Sequence, residues 1–176
     1  ECNLIAPFSD DLRGKLSIQL NNAKKNLGAI YFSNVLKGER GSPAIFFISA
    51  LENDFFAIGE LSTEAIIAAQ QGIKFGRGGH AAVVDKVGRV LAHPNSDWTS
   101  SSRDISSISI VKKVIAGETG VEQFYSPSAQ ANMVAGFTVV PITGWGVMIP
   151  QPLSELVERA NDIRIIAFSL TLVGIF

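Results

Sequence analysis

Three segments of this 176-residue chain occur twice in the same order, and that internal repeat constrains the fold more than any other feature. Leu4-Ile5-Ala6-Pro7-Phe8-Ser9-Asp10 returns, with one inserted residue, as Val90-Leu91-Ala92-His93-Pro94-Asn95-Ser96-Asp97. Val35-Leu36-Lys37-Gly38-Glu39-Arg40-Gly41 returns as Val114-Ile115-Ala116-Gly117-Glu118-Thr119-Gly120, each after a stretch of helical character. The apolar runs 44–51 and 55–61, around Asn53-Asp54, return as 134–142 and 145–149 around Thr143-Gly144. A polar or proline break and an amphipathic helix follow each pair, over 63–71 and 153–162.

Each unit therefore reads as strand, helix, turn, antiparallel hairpin, helix, which is an α+β module with helices on a sheet. The second unit has an extra hairpin at its front. Ala81-Ala82-Val83-Val84 and Arg89-Val90-Leu91-Ala92 flank Asp85-Lys86-Val87-Gly88, with Asp first and Gly fourth as a tight turn requires. The first unit lacks the matching strand, so the expectation is that it begins in mid-module and that an upstream segment precedes it. Residues 77–150 should form a complete antiparallel sheet and residues 1–62 only part of one.

Composition excludes several function classes. With 15 Lys and Arg against 16 Asp and Glu, no basic field exists to attract nucleic acid. A single cysteine, Cys2, makes no internal disulfide and no cysteine-based metal site. The start, Glu1-Cys2-Asn3, does not read as a signal peptide. After Arg164 come twelve uncharged residues, apolar on all faces, against the roughly 20 that a spanning helix needs. We read them as the start of a transmembrane helix rather than as a buried terminal helix.

No catalytic constellation emerges. His80 and His93 are the only histidines, without clustered Asp or Glu to complete a metal site. His93, beside Pro94 at a strand end, reads as structural, its imidazole hydrogen-bonding backbone where proline ends the ladder. Asp85 reads as the cap of its turn. There is no Gly-x-Ser-x-Gly elbow. Gly76-Arg77-Gly78-Gly79 lacks the Lys-Ser or Lys-Thr and the following helix of a phosphate loop, and reads as a flexible connector. Lys24-Lys25 and Lys112-Lys113 read as solvated helix faces, and no cofactor is expected.

At Gly79-His80-Ala81-Ala82-Val83-Val84-Asp85-Lys86-Val87-Gly88-Arg89-Val90-Leu91-Ala92-His93-Pro94 and at Val139-Val140-Pro141-Ile142-Thr143-Gly144-Trp145-Gly146-Val147-Met148-Ile149 the chain resembles the double-Cache sensors, which carry two PAS-like modules in tandem. The spacer before Trp145 is shorter than the family's. The resemblance implies a partial membrane-distal module over 1–75, a membrane-proximal module over 76–152, an exit helix over 153–164 and the start of a transmembrane helix over 165–176. It also implies a homodimeric receptor in the bacterial inner membrane, its sensor facing the periplasm or cell exterior. The output, a chemotaxis domain, histidine kinase or cyclic-di-GMP enzyme, would lie beyond the membrane. A non-binding dimerisation or force-transmitting module is the alternative.

A PAS-like pocket needs aromatic walls and a few polar groups. Trp98, Phe124, Tyr125, Phe137 and Trp145 are available in the second unit, mostly as core, and Tyr125 is the expected wall residue. In the distal module, amino-acid-binding relatives carry an aspartate on the last strand that pairs with the ligand ammonium. Glu60 stands there, in Ile58-Gly59-Glu60-Leu61, with Tyr31 all that remains of the family's aromatic-arginine motif. The resemblance thus points to an amine, an amino acid or an organic acid as ligand, with a solvated strand-end charge as the plain alternative for Glu60.

Overall fold

In the computed structural model, which describes residues 10–38, 41–52 and 55–173, the chain separates into two units between Thr63 and Glu64. The first contains helices α1 (Asp10–Lys15) and α2 (Ser17–Lys25). Strands β1 (Ile30–Phe32), β2 (Leu36–Lys37), β3 (Pro43–Ala50) and β4 (Phe56–Ser62) follow. β3 is central: β1 and β2 share one of its edges and β4 takes the other, all antiparallel. Alternation along β3 puts Ala44, Phe46, Ile48 and Ala50 on one face, where Leu16 and Ala23 cover them. Each large aliphatic side chain buried there contributes about 1.5–3 kcal/mol. On the other face the Phe47 ring lies over Gly59, 2.0 Å from where a Cβ would stand, so only glycine fits beneath it.

The second unit opens with α3 (Glu64–Gly72), β5 (Lys74–Phe75), β6 (Gly79–His80), β7 (Ala82–Val84) and β8 (Val90–Ala92). Then come α4 (Ser96–Ser100), α5 (Ser109–Ile115), β9 (Gly120–Ser126), β10 (Ala131–Val139), β11 (Gly146–Pro152) and α6 (Leu153–Val173). Five strands form an antiparallel sheet in the order β8-β7-β11-β10-β9, while β5 and β6 make a separate ribbon. Val84, Val90, Ala135, Phe137 and Met148 of the sheet pack against Trp98 of α4 and the Ile110, Val111, Val114 stripe of α5.

The α+β class and the two hairpins stand as read. The Asp85 carboxylate accepts from the amides of Val87 (3.0 Å) and Arg89 (2.9 Å), and Gly88 supplies the positive φ of 88° that closes the turn. The first copy of the leading repeat, residues 4–9, and the Asn53-Asp54 turn lie outside the described residues. Among those described, the first sheet has four strands and no counterpart of the β7–β8 hairpin.

Two expectations need correction. The middle repeat is not structural: Leu36–Lys37 is strand, while Val114 to Gly117 ends helix α5. Its glycines differ accordingly, since Gly117 is a positive-φ helix stop and Gly38 is not. Next, the last strand does not stop at Ile149 but runs through Pro150 and Pro152. Both lie past Met148, the last residue of β11 paired with β7, so that edge loses no donor. The exit helix expected over 153–164 lies within α6, a helix of 21 residues that runs on to Val173. Among the described residues no helix is long and apolar enough to cross a membrane.

Candidate functional site

The second unit holds a small cavity of about 30 Å³ between the sheet and helices α4 and α5. Trp98, Phe124, Ile108 and Met148 are among its apolar walls, and His80, His93, Ser126 and Ser128 supply its polar side. The space suffices for roughly two waters. None of the lining residues is acidic.

Local structure fixes each polar group. His93 Nδ1 accepts the Asn95 amide at 2.9 Å, which is the backbone role read from the sequence and leaves the neutral ring's proton on Nε2. Nε2 points to Ser128 Oγ, 3.5 Å away, and Ser128 is in turn 3.1 Å from Ser126 Oγ. The ring stacks on Trp98 with centroids 4.8 Å apart, and the Arg103 guanidinium stands over the same indole at 4.9 Å. Asn95 caps α4 by accepting the amides of Asp97 (3.0 Å) and Trp98 (3.2 Å), which sets the indole in place. His80 donates from Nδ1 to the Gly78 carbonyl at 3.1 Å, and its ring meets His93 edge-on at 5.5 Å. Burial, and then the charge on His80, push the His93 imidazole down to about 4.

Tyr125 does not line this cavity. It is 58% exposed, and the inward place one residue earlier on β9 belongs to Phe124. Strand alternation makes that one-residue offset a change of face. Phe137 is core, as are Trp98 and Phe124 in part. Ser126 and Ser128 were not foreseen, although the Phe124-x-Ser126 alternation places Ser126 on the inward side of β9.

In the first unit Tyr31 and Glu60 share a sheet face: Tyr31 pairs with Ile48, Ile48 with Ile58, and Glu60 with Phe46. Tyr31 is half-buried beside the core, its hydroxyl accepting from Asn26 Nδ2 at 3.0 Å. The Glu60 carboxylate folds over Gly38, where a Cβ would lie 2.1 Å from Oε1.

The Gly76-Arg77-Gly78 turn is not a flexible connector. It receives the buried carboxylate of Glu155, from the first turn of α6, on the amides of Arg77 (3.1 Å to each oxygen) and Gly78 (2.6 Å). Gln151 Nε2 adds a bond of 3.2 Å, and Arg77 pairs with Glu158 one turn further along α6. Gly76 has φ of 61° and a Cβ there would lie 2.3 Å from the carboxylate, so the glycines exist to admit it. The Gln151 side chain and the Arg77 and Gly78 amides hold Glu155 below the usual carboxylate range.

No family model matches the chain, and no curated protein sequence does. Solved structures do. The extracellular domain of mmHK1S-Z3, assigned as a histidine kinase, matches with a TM-score of 0.67 at 19% identity, over 82% of this chain and 55% of that one. The periplasmic sensory domain of the Campylobacter jejuni chemoreceptor Tlp1 matches with 0.67 at 17% identity, over 85% and 59%. The ligand-binding domain of the Pseudomonas aeruginosa PAO1 amino acid chemoreceptor PctB, in complex with L-Arg, matches with 0.58 at 18% identity, over 88% and 65%. The chain has the PAS-like, Cache-type fold of these extracytoplasmic sensory domains and spans a little over half their length.

Proposed function

We propose that this chain is the extracytoplasmic small-molecule sensing region of a bacterial inner-membrane receptor, and that α6 carries the ligand-induced change toward the membrane. The observation that supports this most is the continuity of β11 with α6. Met148 and Pro150 line the cavity, Pro152 ends the strand, and Leu153 begins the helix with no loop between. Two prolines leave the junction little backbone freedom, and the Glu155 carboxylate ties the first helical turn to the β5–β6 ribbon. A ligand moves such an assembly only by its difference in affinity for two states, a few kcal/mol.

In this reading residues 165–176 belong to a transmembrane helix, the receptor is a homodimer, and the first unit is the membrane-distal module. Its Tyr31 and Glu60 would meet an ammonium-bearing ligand, since a carboxylate and a phenol on one sheet face can take an amine by charge-assisted hydrogen bonds. The test is a Gly-Ser insertion between Pro152 and Leu153 in the full receptor. Unchanged ligand affinity with lost output supports the reading, and an output equal to the parent's removes it.

A further inference from the structure

We propose that the turn from His93 to Asn95 is an acid-released latch: a proton added to the His93 ring displaces the Asn95 amide, frees the start of α4 and opens the cavity wall at Trp98 to solvent. The latch belongs to the second unit itself and needs no ligand. That external acid thereby becomes a stimulus of a receptor rests on the sensing role above.

The trigger lies in which nitrogen is left to protonate. His93 Nδ1 accepts the Asn95 amide at 2.9 Å, so the neutral ring carries its hydrogen on Nε2, where the Ser128 hydroxyl stands 3.5 Å away. A second proton has only Nδ1 to go to. There it sets one N–H against another, and the Asn95 amide loses its acceptor. The Nε2 side tolerates both protonation states, but the closed turn tolerates only the neutral ring.

Nothing packed against the ring compensates an imidazolium. His80 of β6 meets it edge-on with centroids 5.5 Å apart, Trp98 of α4 stacks on it, and the Arg103 guanidinium already covers the far face of that indole. α5, β9, β11 and the turn after β9 present only apolar side chains and the hydroxyls of Ser126 and Ser128. Among the described residues no carboxylate lines the cavity, and the acid of α4, Asp97, is exposed. Burial, and then His80, hold the closed imidazole down to about 4, against an ordinary value of 6.5 once the turn opens to water. The open turn thus binds the proton better, and between those values acid favours opening by up to about tenfold per pH unit. What it opens is weakly built. α4 has five residues, too few to persist without its caps. It starts at the Asn95 side chain, which accepts the Asp97 and Trp98 amides, and stops at Ser102, whose positive φ of 46° is uncommon outside glycine. Such a segment opens at lower cost than the sheet behind it.

The experiment follows this chain by NMR from about pH 7 to about pH 3. At the neutral end the His93 ring should be the Nε2–H tautomer. As it becomes an imidazolium, the Asn95 amide and the Trp98 amide and indole should shift with the same midpoint, while the amides of β10 and β11 and the Trp145 indole keep their folded positions. His93→Asn puts a side-chain oxygen two residues before the Asn95 amide, which keeps the bend as an Asx-turn with nothing to protonate, and should remove that step. If the variant does not fold, the parent's own titration still decides. An Nδ1–H tautomer at neutral pH, a ring still neutral at the acid end, an imidazolium formed with Asn95 and Trp98 unmoved, the same step in a folded His93→Asn, or collapse of β10 and β11 together with α4 each overturns the latch. The step found in a chain that answers to no small molecule upholds the latch and removes only the sensing role.

Discussion

The Glu155 carboxylate lies 2.6 Å from the Gly78 amide, so the first turn of the C-terminal helix is fastened to a turn 77 residues earlier in the chain. Backbone amides bound to an anion inside a glycine turn are strong, oriented donors. Replacing Glu155 with Gln removes the charge while keeping the shape, and the melting temperature should fall. Gly76→Ala should do the same by a separate route, adding a Cβ where φ is positive and no space exists, at roughly 1–2 kcal/mol for the conformation alone. If both variants melt with the parent, the fastening contributes nothing. Because the folded carboxyl titrates lower than an ordinary glutamate, its contribution is present above the ordinary pKa and is lost as pH falls through the folded value.

His93 gives a second acid response. Its folded pKa of about 4 lies below the unfolded value of 6.5, so the unfolded chain binds the extra proton between them. Stability is full above pH 6.5 and declines as pH falls toward 4, by at most about 3 kcal/mol. Denaturant titrations across that window should show the decline in the parent and a flatter profile in His93→Asn. Parallel profiles would mean that the imidazole is not held neutral by burial.

Asp85 is the best anchored of the turn residues, 1% exposed with two backbone amides on one oxygen. Asp85→Ala should cost about 2–3 kcal/mol, since both amides lose a charged acceptor, and Asp85→Asn should cost less because an oxygen remains. Equal losses in the two variants would place the effect in side-chain volume instead of hydrogen bonding.

In the first unit, Glu60→Gln separates the two readings of that carboxylate. If Glu60 meets a ligand ammonium, amines or amino acids that raise the melting temperature of the parent should no longer do so in the variant. A shift that survives the change assigns Glu60 to the strand-end role, folded over Gly38.

The two hairpins and the Asp85 turn were legible because their signals are local: alternating apolar residues and an Asp-x-x-Gly turn within ten positions. The cavity was legible only in part. Trp98 and Phe124 were in the aromatic set, but choosing Tyr125 as the wall missed by one residue, and in a strand one residue is the opposite face. Ser126 follows from the alternation of β9 only once Phe124 is taken as the wall, and Ser128 comes to His93 from the turn after that strand, which no spacing in the sequence signals. The Glu155 fastening joins partners on separate elements, so the Gly76-Arg77-Gly78-Gly79 run could be denied a phosphate without revealing the carboxylate that it does hold. The middle repeat misled because a similar run of residues ends a helix in one unit and forms an edge strand in the other.

The central claim, that this chain senses a small molecule instead of serving as a passive structural module, is tested most directly by a thermal-shift screen of the chain against amines, amino acids and short carboxylic acids. A ligand at 100 times its dissociation constant stabilises the folded state by about 2.7 kcal/mol, which corresponds to a rise of roughly 2–8 °C for domains of this size. At least one compound should produce such a shift, and the shift should grow with the logarithm of its concentration. A melting temperature that stays fixed across all three classes, up to millimolar concentrations, would contradict the account and favour the structural module.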